Sequence, residues 1–177
     1  YGNDKIAAMG IVLKVNMIAQ LILTGFAFGG VPMYGYLYGA KQQDTLKKLL
    51  RFCLLFLCGL SLALTAFLCL AATPLMRLFV QDSALVATGA EMLRWQAATA
   101  VFAGIVLLLT VLFQATGKIV PAFLLSISRQ GIVFIVVLVV CVRLFAYNGV
   151  IMAQAVADVL SAILALGLLI GYNPLKQ

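Results

Sequence analysis

Long uninterrupted runs of apolar residues constrain this chain more than any other feature. Five blocks follow one another, at about residues 6–38, 49–73, 85–116, 119–146 and 149–170. Each is longer than the ~20 residues that a helix needs to cross the bilayer core. Because lipid offers the backbone no hydrogen-bond partners and no alternating strand pattern is present, each block must be helical. The sequence therefore predicts an all-α, polytopic membrane protein with five transmembrane helices in a single bundle.

The composition excludes a soluble domain. Only 10% of the residues are charged and 65% are hydrophobic, whereas a typical soluble domain has about 25% charged residues. The net charge of +7 does not indicate nucleic-acid binding, because the basic residues lie mostly at the ends of apolar blocks and not along a polar face. We therefore expect the lipid bilayer, and no nucleic acid, as a partner.

The residue types needed for catalysis or metal binding are missing from the sequence. It has no histidine and five acidic residues, so Ser-His-Asp and Cys-His arrangements are impossible within it. No pair of cysteines is spaced as a zinc site requires, and no phosphate-binding loop motif occurs. We predict neither an enzyme nor a resident cofactor or metal.

Turn-forming residues separate the blocks. The segments are "GAKQQD", "QDS", "TGKIVP" and "AYNG", and Ser83 in the second is expected to cap the helix that follows. Such short connections predict that consecutive helices are antiparallel neighbours. The first block has 33 residues, or ~50 Å of straight helix, so it must tilt or bend. Gly29, Gly30 and Pro32 are the expected bend and the candidate hinge.

The basic residues predict the orientation. One side of the membrane collects Lys41, Lys47, Lys48, Arg51, Lys118 and Lys176, and the other collects Lys5, Arg77, Arg94 and Arg143. Four of the first six crowd into one short loop, which predicts that this loop is cytoplasmic. The chain also begins with a loop-like "YGNDK" and no initiator methionine, so we expect it to be a piece of a longer protein.

Asp158 and Arg129 are charged residues at membrane depth, where charge is unfavourable and functional roles concentrate. If the fourth and fifth helices are antiparallel neighbours, the two side chains can meet. The sequence favours a buried ion pair that locks the helices together, because an unpaired charge in lipid is strongly destabilising. The alternative is a carboxylate linked to a proton or another cation.

Other polar residues within the spans are candidates for a substrate or ion pathway. Asn16 and Gln20 are four residues apart and share a helix face, with Lys14 close by. They either line a water-filled cavity, or the amides bond between helices while Lys14 extends toward the interface. Gln96 and Gln114 are further candidates for a cavity lining.

Four segments follow one another in an order and spacing that resembles a known family. They read "PMYGYLYGAKQQDTLKKLL", "MRLFVQDSALVATGAEMLRW", "FQATGKIVPAFLLSISRQGIVF" and "NGVIMAQAVADVLSAILA". Together they resemble the C-terminal half of multidrug and toxic compound extrusion (MATE) transporters. The resemblance implies twelve helices in two lobes, of which the five blocks correspond to helices 8–12. Gly104 stands where some members carry an acid in the tenth helix.

The resemblance also implies a function. It predicts part of a secondary active antiporter in the bacterial inner membrane that exchanges protons or sodium ions for amphipathic, cationic drugs. The N-terminal lobe of the same transporter would be its partner and would form the other wall of the cavity. Two alternatives stay open at this point: a flippase for lipids or lipid-linked sugars, and a non-transporting scaffold subunit in the membrane.

Overall fold

The chain folds entirely into helices over the part that the structure describes. The structure is a computed structural model that gives the backbone of residues 3–172 and the side chains of residues 7–128, 131–144 and 149–172. Its helices are α1 (Asn3–Gly29), α2 (Val31–Gly39), α3 (Gln43–Phe79), α4 (Ser83–Ala98), α5 (Ala100–Ala115), α6 (Ile119–Gln130) and α7 (Ile132–Gly171). The all-helical prediction is confirmed.

Several of these helices are long and apolar enough to cross a membrane. Within the described residues, four segments qualify: Ala7–Gly39, Gln43–Phe79, Ile119–Leu144 and Gly149–Gly171. Helices α4 and α5, which meet at an angle of 41°, make a fifth if the bent pair crosses as one span. The chain is therefore a multi-pass membrane protein with four to five spans. The predicted block 85–116 corresponds to this bent pair of helices.

The bend in the first span lies among the residues that the sequence singled out. Helix α1 ends at Gly29 and α2 begins at Val31, with Pro32 in the first turn of α2. A proline is tolerated there because the backbone N–H groups of a first turn have no partner within the helix. The interruption is the predicted bend. The role of Gly29, Gly30 and Pro32 as a moving hinge stays a prediction.

Helix α7 doubles back on itself. Val137 and Cys141 form one apolar cluster with Ala153 and Ala157. In a straight helix, Cys141 and Ala157 would be ~24 Å apart, so the chain must reverse direction between Leu144 and Gly149. Gly149 lies so close to the carbonyl of Cys141 that a Cβ atom there would overlap it. The reversal coincides with the "AYNG" segment and produces two antiparallel arms.

The start of α4 corrects one expectation. Asp82, and not Ser83, is the N-cap residue of α4. Its Oδ1 accepts hydrogen bonds from the backbone N–H groups of Ala84 at 2.8 Å and Leu85 at 3.4 Å. A carboxylate satisfies these free donors and also interacts favourably with the positive end of the helix dipole.

Two apolar clusters fill the bundle at its two ends. The larger joins α1, α2, α3, α5, α6 and α7 and includes Leu23, Tyr34, Leu57 and Phe113. The smaller joins the other ends of α1, α3 and α4 with the second arm of α7 and includes Val12, Met76 and Leu93. Most of the buried polar side chains lie on α3, α4–α5 and α7. Along these elements, most of them come between the residues of one cluster and the residues of the other. The polar side chains therefore form a layer between two apolar ends.

Candidate functional site

The interruption between α4 and α5 defines the middle of this polar layer. Thr99 separates the two helices with φ −100° and ψ 2°. Thr65 on α3 donates a hydrogen bond of 2.7 Å from Oγ1 to the carbonyl oxygen of Ala97, in the last turn of α4. The bond compensates a carbonyl that the end of the helix leaves without its usual partner. A polar side chain of a neighbouring helix thus supports the break.

The break lies at mid-membrane depth. Arg51 and Arg77 flank the apolar part of α3, and Thr65 lies 14 residues from the first and 12 from the second. At 1.5 Å per residue these separations are ~21 Å and ~18 Å. Thr65 and the Ala97 carbonyl that it contacts are therefore near the centre of the bilayer, far from either interface.

Asp158 brings a carboxylate to the break from α7. It is only 3% exposed. Thr99 Oγ1 donates to Asp158 Oδ2 at 3.5 Å, and Gln154 Nε2 donates to Asp158 Oδ1 at 3.3 Å. The Thr99 hydroxyl also lies 3.2 Å from the carbonyl oxygen of Gln96, so its single proton is shared between this oxygen and Asp158 Oδ2. The residue at the helix break is thereby connected to both α4 and α7.

The predicted ion pair between Asp158 and Arg129 falls partly outside the described residues. The backbone of Arg129 belongs to α6, but its side chain is not among those that the structure describes. Helices α6 and α7 pack against each other, which is compatible with the pairing. The ion pair therefore stays a prediction.

Gln96 is the predicted pathway residue that lies in this layer. Its side chain is 4% exposed and is carried by the last turn of α4. Its Oε1 has no hydrogen-bond partner within the described part of the chain, and neither have the hydroxyls of Ser61 and Ser161. Such buried acceptors are rare, since each loses the free energy of its hydration without compensation. They mark the layer as a place where water or an ion can bind.

Gly104 brings α5 close to α3 within the same layer. A Cβ atom at Gly104 would lie 2.9 Å from Ser61 Oγ. Ser61 is fully buried. The space that a side chain at position 104 would need is therefore occupied by the hydroxyl of Ser61 from the neighbouring helix.

The predicted polar residues of α1 lie outside the hydrogen bonds of the layer. Lys14 is exposed, and Asn16 and Gln20 are half-buried. Among the described side chains, Asn16 makes no hydrogen bond, whereas Gln20 has a polar partner. These residues contribute a separate polar strip on α1, and their place in a pathway stays a prediction.

Gln114 lies at the other end of α5. It is exposed and lines an open cavity of about 170 Å³ together with Phe28, Thr110 and Ser126. A neighbouring cavity of about 330 Å³ shares Gln114 and Ser126. Both cavities are close to the loop that leads to Lys118, so Gln114 and Gln96 belong to different sites.

Sequence reasoning missed the hydroxyl residues of the layer, which are Ser61, Thr65, Thr99 and Ser161. Serine and threonine are ordinary in membrane helices, where they often bond to carbonyls of their own helix. Only the interruption of the helix distinguishes Thr99, and no glycine or proline announces it within "QAATAV". These residues could be recognised only from the contacts that they make in the folded structure.

A membrane helix broken beside buried polar side chains is typical of secondary transporters. A MatE family model matches residues 1–142. The chain therefore belongs to the MatE family, a family of transporters and not of enzymes, which confirms the resemblance seen in the sequence. No solved structure matches the chain significantly.

The chain is also similar to several proteins named multidrug export protein MepA. The chain is 30% identical over 174 residues to that of Staphylococcus haemolyticus (strain JCSC1435) and 29% identical over 174 residues to that of Staphylococcus aureus (strain NCTC 8325 / PS 47). It is 27% identical over 166 residues to that of Staphylococcus saprophyticus. Each comparison covers 94% of this chain and 36% of the relative, so the chain spans about a third of their length.

Proposed function

We propose that this chain is part of a secondary active multidrug efflux antiporter of the bacterial inner membrane. It would exchange protons or sodium ions for amphipathic cationic drugs. Membership of the MatE family and the similarity to multidrug export proteins named MepA support the transport of drugs. In this proposal the chain forms one wall of the cavity, and an N-terminal lobe of the same transporter forms the other.

The observation that carries the antiport proposal is the buried Oε1 of Gln96 beside the broken helix, which has no hydrogen-bond partner among the described residues. Amide oxygens and the carbonyls at interrupted helices are the groups with which such transporters bind their coupling ion. An amide oxygen ligates Na⁺ or a water molecule, whereas a carboxylate such as Asp158 also accepts a proton. Lys14, Asn16, Gln20 and Gln114 are the further pathway candidates of the proposal.

The proposal is tested with the complete transporter in proteoliposomes. Ethidium is loaded as an amphipathic cation, and either a proton gradient or a sodium gradient is imposed. We expect accumulation of ethidium against its gradient with at least one of the two ions. Transport that is unaffected by both gradients, or no transport by protein shown to be inserted and folded, would overturn the proposal.

A second arm tests the need for the other lobe. Proteoliposomes that contain only the 177-residue chain should show no energy-dependent dye transport, because a single lobe has no second body against which to alternate its access. Gradient-driven transport by this chain alone would contradict the two-lobe proposal.

A further inference from the structure

A second polar site lies at the end of the bundle opposite the lysine-rich loop. The ends of α3 and α4 enclose an open cavity of about 650 Å³. Arg77 of α3 and Arg94 of α4 both line it, together with the polar residues Thr73, Gln81 and Ser83. Its volume is within the range of ligand sites in proteins. Among the residues that the structure describes, none of those lining this cavity is acidic.

Arg94 is held in place by the backbone of the neighbouring helix. Its Nε donates a hydrogen bond of 3.3 Å to the carbonyl oxygen of Cys69. Among the side chains that the structure describes, no carboxylate lies within salt-bridge distance of Arg94 or Arg77. Glu91, one turn from Arg94 on α4, lines a smaller cavity that Arg94 also borders, but it does not line the cavity shared by Arg77 and Arg94. The remaining N–H groups of both guanidinium groups are therefore available to a ligand.

The two arginines lie at different depths. Arg51 and Arg77 are 26 residues apart on α3, or ~39 Å, which matches the thickness of a bilayer including its headgroups. Arg77 is therefore at headgroup level. The carbonyl of Cys69, to which Arg94 bonds, lies eight residues or ~12 Å further into the membrane along the same helix.

A guanidinium group at this depth requires compensation. A charged side chain among acyl chains is unfavourable, and it is tolerated when water or a polar headgroup is drawn toward it. Arg77 and Arg94 together form a path from the headgroup level inward. Phosphate is the group that guanidinium binds best, through paired and charge-assisted hydrogen bonds.

We propose that this cavity binds the phosphate group of an anionic phospholipid. Arg77 would contact the phosphate from the headgroup level and Arg94 from below, while Val80 and Val86 offer apolar contact to the start of the acyl chains. Free phosphate has the same chemistry. The depth of Arg94 favours the lipid over the free ion. The acyl chains already hold the lipid phosphate at the membrane, so it loses no further hydration by being there.

Trp95 provides a probe at the site. It is the only tryptophan of the sequence, and it lines the small cavity next to Arg94. Its side chain is 43% exposed, so lipid can reach it. The chain is reconstituted with phosphatidylglycerol or phosphatidylcholine that carries brominated acyl chains, and the quenching of Trp95 fluorescence gives the relative affinity of the two lipids.

We expect phosphatidylglycerol to be preferred about fivefold, which is the order of the effect of one basic residue near an anionic headgroup. Arg77→Gln and Arg94→Gln should each bring the preference close to one, and Arg94→Lys should retain part of it. Arg143→Gln is the matched control: it removes the same charge from α7, which does not line this cavity, and should leave the preference unchanged. Far-UV circular dichroism checks that each variant is folded.

Equal quenching by the two lipids in the unmodified chain would overturn the proposal. So would a preference that survives in both Gln variants, or one that Arg143→Gln abolishes to the same extent. Inorganic phosphate at roughly 10 mM, well below the physiological ionic strength of about 0.15 M and therefore weakly screening, should leave the preference for phosphatidylglycerol intact. If the preference for phosphatidylglycerol is lost in phosphate but not in chloride of equal ionic strength, the site binds the free anion and the lipid proposal is refuted.

Discussion

The hydroxyl of Thr99 lies 3.5 Å from Oδ2 of Asp158. Thr99 occupies the interruption between α4 and α5, and Asp158 comes from the arm of α7 that follows the chain reversal. Because Thr65 of α3 bonds to the carbonyl of Ala97 nearby, three segments of the bundle meet at one broken turn. Changes at this junction should affect both the stability and the transport of the protein.

Asp158→Asn should reduce the amount of folded protein more than it reduces coupling. The amide keeps one acceptor but presents N–H groups where Thr99 or Gln154 donates. It also leaves Arg129, the predicted partner, without a counter-charge, and breaking a buried pair destabilises by about 3–5 kcal/mol. Size-exclusion chromatography and thermal unfolding in detergent measure the loss.

Asp44→Asn is the control for this change. Asp44 is exposed and pairs with Lys47 at 3.9 Å, so its loss should be close to neutral. Normal abundance of Asp158→Asn together with abolished ion coupling would favour the alternative role of Asp158, as a carboxylate that binds the coupling ion.

Gln96→Leu should separate transport from stability. The buried Oε1 has no partner among the described residues, so its removal should leave the free energy of unfolding unchanged or raise it by up to about 1 kcal/mol. Gradient-driven dye transport should fall by about tenfold, the equivalent of roughly 1.4 kcal/mol of lost ion binding. Gln42→Leu, an exposed change at the start of α3, should leave both quantities unaltered. A stable Gln96→Leu transporter with full activity would exclude Gln96 from ion binding.

Gly104→Ala should destabilise the bundle by about 1–3 kcal/mol, as overpacking of a filled interior typically does. The new methyl group would lie 2.9 Å from Ser61 Oγ. Adding Ser61→Ala removes that oxygen, so the double variant should be more stable than Gly104→Ala alone. Gly59→Ala is the control on α3, because nothing lies within 4 Å of a Cβ atom there. Additive effects of the two changes in thermal unfolding would contradict the contact.

Gly30→Ala should destabilise the first span, whereas Gly29→Ala should be nearly neutral. A Cβ atom at Gly30 would lie 2.8 Å from Cε2 of Tyr34, whose side chain is fully buried and has little room to move. No atom lies within 4 Å of a Cβ atom at Gly29. The two variants add the same methyl group at adjacent positions, so their thermal midpoints compare its packing against Tyr34 with its packing in open space. Equal thermal midpoints would show that the Tyr34 side chain moves aside without destabilising the protein.

If Gly29 and Gly30 also form a hinge, an alanine substitution at either position should slow transport. Alanine restricts the backbone more than glycine does, at Gly29 as well as at Gly30. A slower turnover in Gly29→Ala with an unchanged thermal midpoint would support the hinge. An unchanged turnover would leave Gly29 with no part in the motion.

The sequence was sufficient for the class of fold because the bilayer allows few solutions. Apolar length predicted the membrane helices, and glycine and proline predicted the interruption near Gly30. The break at Thr99 was not predictable in this way, since its neighbours are alanine and valine and its geometry depends on contacts with α3 and α7. Asp158 was found because a buried acid is rare, whereas Ser61 and Thr65 gained their importance only from what they contact.

The ~39 Å between Arg51 and Arg77 gives α3 a preferred membrane thickness. In a thinner bilayer the helix must tilt or the lipid must stretch around it, at a small free-energy cost for each ångström of mismatch. Since Thr65 of the same helix supports the break at Ala97, tilting would bear directly on the junction at mid-membrane. We therefore expect acyl-chain length to be a physical variable to which this helix bundle responds.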